Sequence, residues 1–235
     1  MNPILQSLRD EIQANSDEKT RLSGQHFFKE KISTYGVKTA TVTAIANKYF
    51  KTIKQKPKAE IFALCEELWK SGFMEESFVA CNWSYQLRKQ FEPDDFLIFK
   101  KWIEDYVSNW ASCDTLCNHT LGEFVTMYPE FLAELKAFTS SKNRWVRRAA
   151  AVTLIIPARK GKFLVDVLEI AELLLLDADD LVQKGYGWML KAAGDAHQQV
   201  VFDFVMRKKA IMPRTALRYA IEKMPDDLKA RAMKK

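Results

Sequence analysis

The stretch 177–194, "DADDLVQKGYGWMLKAAG", predicts an amphipathic α-helix. Asp179 or Asp180 can cap its start, because a carboxylate accepts the free N–H groups of a first turn, and Gly194 can end it. Apolar residues at i, i+4, i+7 and i+11 form one stripe that we expect in the core: Val182, Tyr186, Met189 and Ala193. The rest of the chain has a similar helical periodicity.

Few helix breakers occur, with 8 glycines and 7 prolines among 235 residues, and almost no strand-like alternation of Val, Ile and Thr. Four similar segments start 32, 35 and 36 residues apart, namely "FVACNWS" from Phe78, "WASCDTL" from Trp110, "WVRRAAA" from Trp145 and "LVQKGYG" from Leu181. This period is typical of two-helix HEAT or armadillo repeats, and we expect each segment to open a helix. We predict an all-α, HEAT-like/ARM-like repeat α-solenoid with a concave basic face, forming a single domain over residues 1–235.

The composition indicates a folded chain that attracts anions. Hydrophobic residues make up 48% of it, and the net charge of +6 favours a polyanionic partner. No apolar run could cross a bilayer and no basic-then-apolar leader follows Met1, so we expect a cytoplasmic protein with no membrane association. Four cysteines fit a reducing compartment with free thiols in the core: Cys65, Cys81, Cys113 and Cys117.

Some large or charged residues fall outside the expected core stripes. Trp188 shares a helix face with Lys184 and Lys191, which indicates either a binding surface or a wide apolar stripe that still buries the indole. In the helix after Ser141, Arg144 and Arg148 lie at i, i+4 on a face away from its core side. Their repulsion would be relieved by a bound phosphate, or by water.

The stretch 108–119, "SNWASCDTLCNH", carries a similar pair. Trp110 and Asp114 lie to one side of a core stripe that we assign to Cys113, Leu116 or Cys117, Thr120 and Phe124. Asp114 can be a reactive acid, or it can satisfy a nearby backbone or arginine group. Cys113, Cys117 and His119 lack the spacing of a structural zinc site, so we predict no metal; no nucleotide-binding motif is present either, and we expect no cofactor.

Taken together, these motifs resemble those of the AlkD-like DNA glycosylases, HEAT-like-repeat enzymes of DNA alkylation repair. The resemblance lies in "NWASCD" with Trp110 and Asp114, "NRWVRRAA" with Arg148, and "LVQKGYGWMLKAAG" with Trp188, in the same order and at similar separations. It covers most of the chain, with looser agreement at "GVKTA" and "LCEELWKSGFMEE". Members of that family excise N3- and N7-alkylpurines, which are positively charged, from duplex DNA without drawing the lesion into a pocket.

The resemblance implies roles for individual residues. Trp110 and Trp188 would pack against the lesion deoxyribose, Asp114 would lie beside C1′, and Arg148 would hold a nearby phosphate. Further phosphate contacts are implied for Lys142, Arg144, Arg147, Lys184 and Lys191. The chain departs from the family pattern at Phe27, where members often have tyrosine, and at Lys38, where they often have glutamine. Both positions contact DNA in the family, so we expect this protein to accept a different range of adducts from other members.

The sequence therefore favours a monomeric, monofunctional alkylpurine DNA glycosylase of base excision repair. The alternative is a non-catalytic HEAT-like-repeat module that binds damaged or branched DNA, or a protein partner, through the same face. An acid among phosphates would repel DNA, so the presence of Asp114 favours the enzyme.

Overall fold

The computed structural model describes residues 2–234, and within them the chain is helical, with no β-strand. A lone bridge joins Ser33 to Phe73. The prediction of an all-α fold is confirmed. None of the helices in this part of the chain is long and apolar enough to cross a membrane.

The described residues group into two compact units, one up to Leu116 and one from Cys117. The single domain and the concave basic face remain predictions. The first unit contains α1 (Pro3–Ala14), α2 (Glu18–Gln25), α3 (Thr39–Ile53), α4 (Lys58–Lys70), α5 (Met74–Gln86), α6 (Asp95–Asp105) and α7 (Trp110–Thr115).

Helix α5 is the central element of the first unit, where it packs against α3, α4 and α7. Its Trp83 is fully buried, and the indole Nε1 donates to the carbonyl of Ala46, 2.9 Å away on α3. Phe78, expected to open a helix, lies inside α5 instead, because the helix already begins four residues earlier, after Phe73.

Two consecutive buried glutamates on α5 hold the segment before α3. The Glu75 carboxylate accepts bonds from the Thr34 hydroxyl at 2.6 Å and from the backbone N–H groups of Tyr35, Gly36 and Val37 at 3.1, 2.9 and 3.1 Å. A buried carboxylate without such donors would be strongly destabilising. Glu75 therefore fixes residues 34–37, which lead into α3.

Glu76 performs the same role for α1. Its Oε2 accepts from Arg9 Nε and Nη2 at 3.0 and 2.8 Å, and its Oε1 accepts from the Tyr35 hydroxyl at 2.7 Å. Burial and the adjacent Glu76 carboxylate raise the pKa of Tyr35, so its hydroxyl stays protonated and continues to donate. Both glutamates thus join parts of the chain that are distant in sequence.

The second unit contains α8 (Gly122–Met127), α9 (Leu132–Phe138), α10 (Arg144–Val152), α11 (Ile155–Arg159), α12 (Leu164–Leu173), α13 (Asp180–Lys208), α14 (Arg214–Ile221) and α15 (Asp226–Met233). Helix α13 is its centre and packs against α10, α11, α12 and α14. Asp179 caps α13 by accepting from the Leu181 N–H at 2.8 Å, as predicted. The helix does not end at Gly194; its backbone leaves helical geometry at His197 and then continues.

The predicted apolar stripe of α13 is confirmed, since Val182, Tyr186, Met189 and Ala193 are all fully buried. Two glycines on this helix contact its neighbours. A Cβ on Gly187 would lie 2.7 Å from Tyr219 Cβ and 2.8 Å from the Ala216 carbonyl oxygen on α14. A Cβ on Gly185 would lie 3.4 Å from a methyl carbon of Val152 on α10.

The four cysteines are buried and carry free thiols, as predicted. Burial in apolar surroundings raises the pKa of Cys65 and Cys81, because the charged thiolate is poorly solvated there.

We expect Gly187→Ala to lower the free energy of unfolding by about 1 to 3 kcal/mol, because the new methyl group meets α14 backbone that cannot move aside alone. Gly194→Ala on the same helix is the matched control, since a Cβ there has nothing within 4 Å. The control should be neutral or stabilising by up to about 1 kcal/mol through helix propensity. Urea unfolding of both variants measures this, and equal stabilities would show that the close approach at Gly187 is unimportant.

Candidate active site

Trp110 is the first residue of α7, and its helix is capped by Asn109, whose side-chain oxygen accepts from the Ser112 N–H at 2.9 Å. The indole is half-buried. It stacks on Phe28, with ring centroids 5.2 Å apart and an interplanar angle of 19°. Its Nε1 donates to the Phe27 carbonyl at 3.3 Å. The loop after α2 therefore contacts this indole directly.

Asp114 lies one helical turn after Trp110 on α7, and only 9% of its surface is exposed. Residues four apart share a helix face, so the indole and the carboxylate flank the same edge of α7. The predicted stripe beside them is confirmed: Cys113, Leu116, Cys117, Thr120 and Phe124 are fully buried. This part of the site thus consists of one acid and one indole at the edge of the core.

A π-helical turn follows at Leu116–Leu121, which no sequence pattern predicts. His119 in this turn is exposed whereas Cys113 and Cys117 are buried, so these three side chains do not converge. In residues 2–234, no group of three His, Cys, Asp or Glu residues could hold a metal ion.

Arg148 was expected outside the core of α10, and this expectation was wrong. Only 4% of its surface is exposed, and its Nη1 donates to the Leu181 carbonyl in the first turn of α13. Gly185 lies beside the guanidinium; a Cβ there would be in ordinary van der Waals contact, 3.5 Å from Arg148 Nη1. The core residues predicted for α10 are confirmed, with Val146, Ala149, Ala150 and Thr153 buried.

Arg147 is held by an ion pair within the second unit. Its Nε and Nη2 donate to the two carboxylate oxygens of Asp177 at 2.6 and 3.3 Å. Its Nη1 donates to the carbonyls of Ser141 and Lys142 at 2.9 and 3.1 Å. A guanidinium has five N–H groups, and four of these are used here. The phosphate contact expected of Arg147 stays a prediction, and a phosphate there would have to compete with Asp177 and two backbone carbonyls.

Arg144 also contacts the segment before α13. Its Nη1 lies 3.4 Å from the Asp179 carboxylate, and its guanidinium lies 4.5 Å from the Trp145 ring centroid. Three arginines of α10 thus contact residues 177–181, where α13 begins. They hold in place the start of the helix that carries Trp188.

Trp188 is half-buried on α13, between two lysines that are paired on the surface. Lys184 lies 3.1 Å from Asp180, and Lys191 lies 2.8 Å from the exposed Glu222. Exposed ion pairs of this kind contribute little to stability, so a phosphate can replace the carboxylate partner. Lys142 is exposed at the end of the loop before α10.

Phe27 and Lys38, where the chain departs from the family pattern, lie together in the first unit. Phe27 is 74% exposed, and Lys38 is the exposed residue that precedes α3. Both line an open groove of about 440 Å³. Its other lining residues are Asp17, Lys19, Thr20, Ser23 and Gly24. The groove combines two lysines, one carboxylate and one apolar ring.

The family model of the DNA alkylation repair enzymes matches residues 8–224. This chain belongs to that family. A solved structure described as a predicted DNA alkylation repair enzyme from Enterococcus faecalis matches the fold with a TM-score of 0.80, at 18% identity, over 90% of this chain and 98% of that one. The search of curated proteins found no match.

Membership in the DNA alkylation repair enzyme family assigns DNA repair to the chain and indicates a DNA substrate. It also agrees with the family resemblance of "NWASCD", "NRWVRRAA" and "LVQKGYGWMLKAAG". Sequence reasoning missed two residues that contact the candidates directly, Phe28 and Asp177. The doublet Phe27-Phe28 and the acidic run 177–180 were the available signals.

We expect Arg147→Gln to leave the salt dependence of duplex binding unchanged, because its guanidinium is bound to Asp177 and to backbone carbonyls. Lys142→Gln is the matched control, which removes an exposed cation nearby and should reduce the slope of log K against log salt by about 1. Fluorescence anisotropy at several salt concentrations measures both slopes. A reduced slope for Arg147→Gln would establish Arg147 as a phosphate contact.

Proposed function

We propose that this protein is a monofunctional DNA glycosylase of base excision repair, which hydrolyses the N-glycosidic bond of positively charged N3- and N7-alkylpurines in duplex DNA. The observation that carries the proposal is the pair on α7: a nearly buried carboxylate, Asp114, one turn from a half-exposed indole, Trp110, in a chain of the DNA alkylation repair family.

Hydrolysis of this N-glycosidic bond requires one carboxylate and a water molecule. An alkylated purine already carries a positive charge, so it leaves with the bonding electron pair and needs no general acid to protonate it. Departure of the base produces a sugar with oxocarbenium character, which the Asp114 carboxylate stabilises electrostatically. Water then adds to C1′ and gives up a proton to the same carboxylate. The products are the free base and an abasic site, without a metal or a cofactor.

The two indoles would favour the transition state over the neutral sugar. Indole faces attract cations, by roughly 0.5 to 2 kcal/mol depending on desolvation. Trp110 and Trp188 are both half-buried, so each has exposed surface available to a deoxyribose. Because the alkylated base is positively charged before the bond breaks and leaves as a neutral purine, the reaction does not need the pocket into which most glycosylases flip their target.

Cationic side chains would hold the duplex backbone. Lys142, Lys184, Lys191 and Arg144 are candidates, because they are exposed or have partners that a phosphate can replace. Arg148, buried on α10, would act through the start of α13, where its Nη1 donates to the Leu181 carbonyl. Phe27 and Lys38 would contact the duplex through their shared groove. We also propose that the enzyme is a cytoplasmic monomer; the four free, buried thiols fit a reducing compartment.

The alternative is a family member that binds damaged or branched DNA, or a protein partner, without catalysis. Its surface would need cations but would gain nothing from an acid beside an exposed indole. The placement of Asp114 on the same edge of α7 as Trp110 therefore favours the enzyme.

We expect Asp114→Asn to reduce the release of N7-methylguanine from methylated duplex DNA by about 100-fold or more, because the amide can neither stabilise the sugar cation nor accept the proton. Duplex affinity should be equal or higher. Chromatography of the released bases under single-turnover conditions measures the rate. Asp94→Asn, which makes the same change at an exposed position of the same unit, is the control and should excise at the wild-type rate.

Equal release by Asp114→Asn and the wild type would remove Asp114 from the mechanism. No release by the wild type from DNA carrying N3- or N7-methylpurines, together with tight duplex binding, would favour the non-catalytic module.

A further inference from the structure

Residues 13–35 form the part of the chain that contacts Trp110 through Phe27 and Phe28. None of these residues is buried. Helix α2 lies within this segment, so no apolar face of α2 attaches it to the first unit. The base of the segment is fixed, because the Asp17 N–H donates to the Gly36 carbonyl at 3.1 Å and the Ser33 carbonyl accepts from the Met74 N–H at 2.9 Å. The tip, residues 26–32, follows α2 and leads directly to the anchor at Ser33.

The tip contacts α7 at Trp110. Phe28 stacks on the indole, and the Phe27 carbonyl accepts from its Nε1. Gln25 shapes the tip by donating to the Glu30 carbonyl at 2.8 Å and accepting from the Ile32 N–H at 3.2 Å. The ring of Phe28 is thus presented to α7 by a closed turn.

Trp110 needs external support because of its place in the helix. Helical side chains lean towards the N-terminus and pack over the preceding turn. Trp110 is the first residue of α7 and has no preceding turn, so its own helix does not fix the orientation of the indole. Phe28 supplies a face-to-face contact in its place.

We propose that Phe28 is a positioning residue, which sets the orientation of the Trp110 indole and leaves one face of it for the substrate. This inference rests on the proposed glycosylase function, since the indole would act on the sugar. It assigns to the exposed tip segment a part in the reaction: the segment holds Trp110 in the geometry that favours the sugar cation. Phe27, its neighbour, faces the groove instead.

The first test compares variants in single-turnover excision of N7-methylguanine. Phe28→Ala should slow excision about five- to tenfold, which corresponds to the loss of one aromatic pair. Phe28→Tyr keeps the stack and should restore the wild-type rate. Leu22→Ala, which also removes an exposed apolar side chain from this segment, is the control and should have no effect. Duplex affinity and its salt slope should be the same for all three variants.

An unchanged rate in Phe28→Ala would overturn the proposal. A faster rate would also overturn it, since Phe28 would then cover the face that the sugar needs. A loss in affinity equal to the loss in rate would show that Phe28 contacts DNA itself.

The second test does not depend on catalysis. The six tryptophans are replaced with 5-fluorotryptophan, and Trp110→Phe identifies the ¹⁹F resonance of Trp110. Phe28→Ala should shift this resonance and change its width, whereas Leu22→Ala should leave it in place. An unmoved resonance overturns the positioning role. If the wild type releases no base while the resonance moves, the proposed function fails and the positioning of the indole by Phe28 stands.

Discussion

The second unit depends on how closely α13 approaches its neighbours. Gly187 brings its backbone against Ala216 and Tyr219 of α14, at distances that no side chain would allow. Gly185, half a turn earlier, lies on the other side of α13, against Val152 and Arg148 of α10. Trp188 is the residue that follows Gly187, so its position is set by the same close contact. The position of this large side chain is thus set by a neighbouring residue that has no side chain.

Both units use buried or half-buried carboxylates to fix the chain segments that lead into α3 and α13. In the first unit, Glu75 holds residues 34–37 through three backbone N–H groups and one hydroxyl. In the second, Arg147 holds the segment before α13 through Asp177. Breaking such a pair leaves a charge without a partner in a poorly solvated place, so these contacts are costly to lose. They give precise positions to segments that have few apolar contacts.

The apolar stripes could be predicted from the sequence because burial repeats with the period of the helix. The stripes of α7, α10 and α13 required only this periodicity. Arg148 could not be placed in the same way, since its buried guanidinium donates to a carbonyl 33 residues away in sequence. The same holds for Arg147, whose partner Asp177 lies on another element.

Prediction of the candidate site from the sequence has the same limit. Trp110 and Asp114 were found because they leave a stripe and match a family pattern, and the structure places both at the edge of α7. Phe28 was not predicted, because residues in a turn follow no helical period. The sequence has two adjacent phenylalanines, Phe27 and Phe28, and only the tertiary fold determines which ring stacks on the indole. Loop contacts of this kind depend on where the ends of the loop are anchored.

The burial of the four thiols affects how readily alkylating agents modify the protein. Electrophiles that alkylate purines also attack thiols, and the reactive species is the thiolate. All four cysteines are inaccessible, and burial raises the pKa of Cys65 and Cys81 so that their thiolates are scarce. The four cysteines therefore expose little thiolate to the agents that damage DNA.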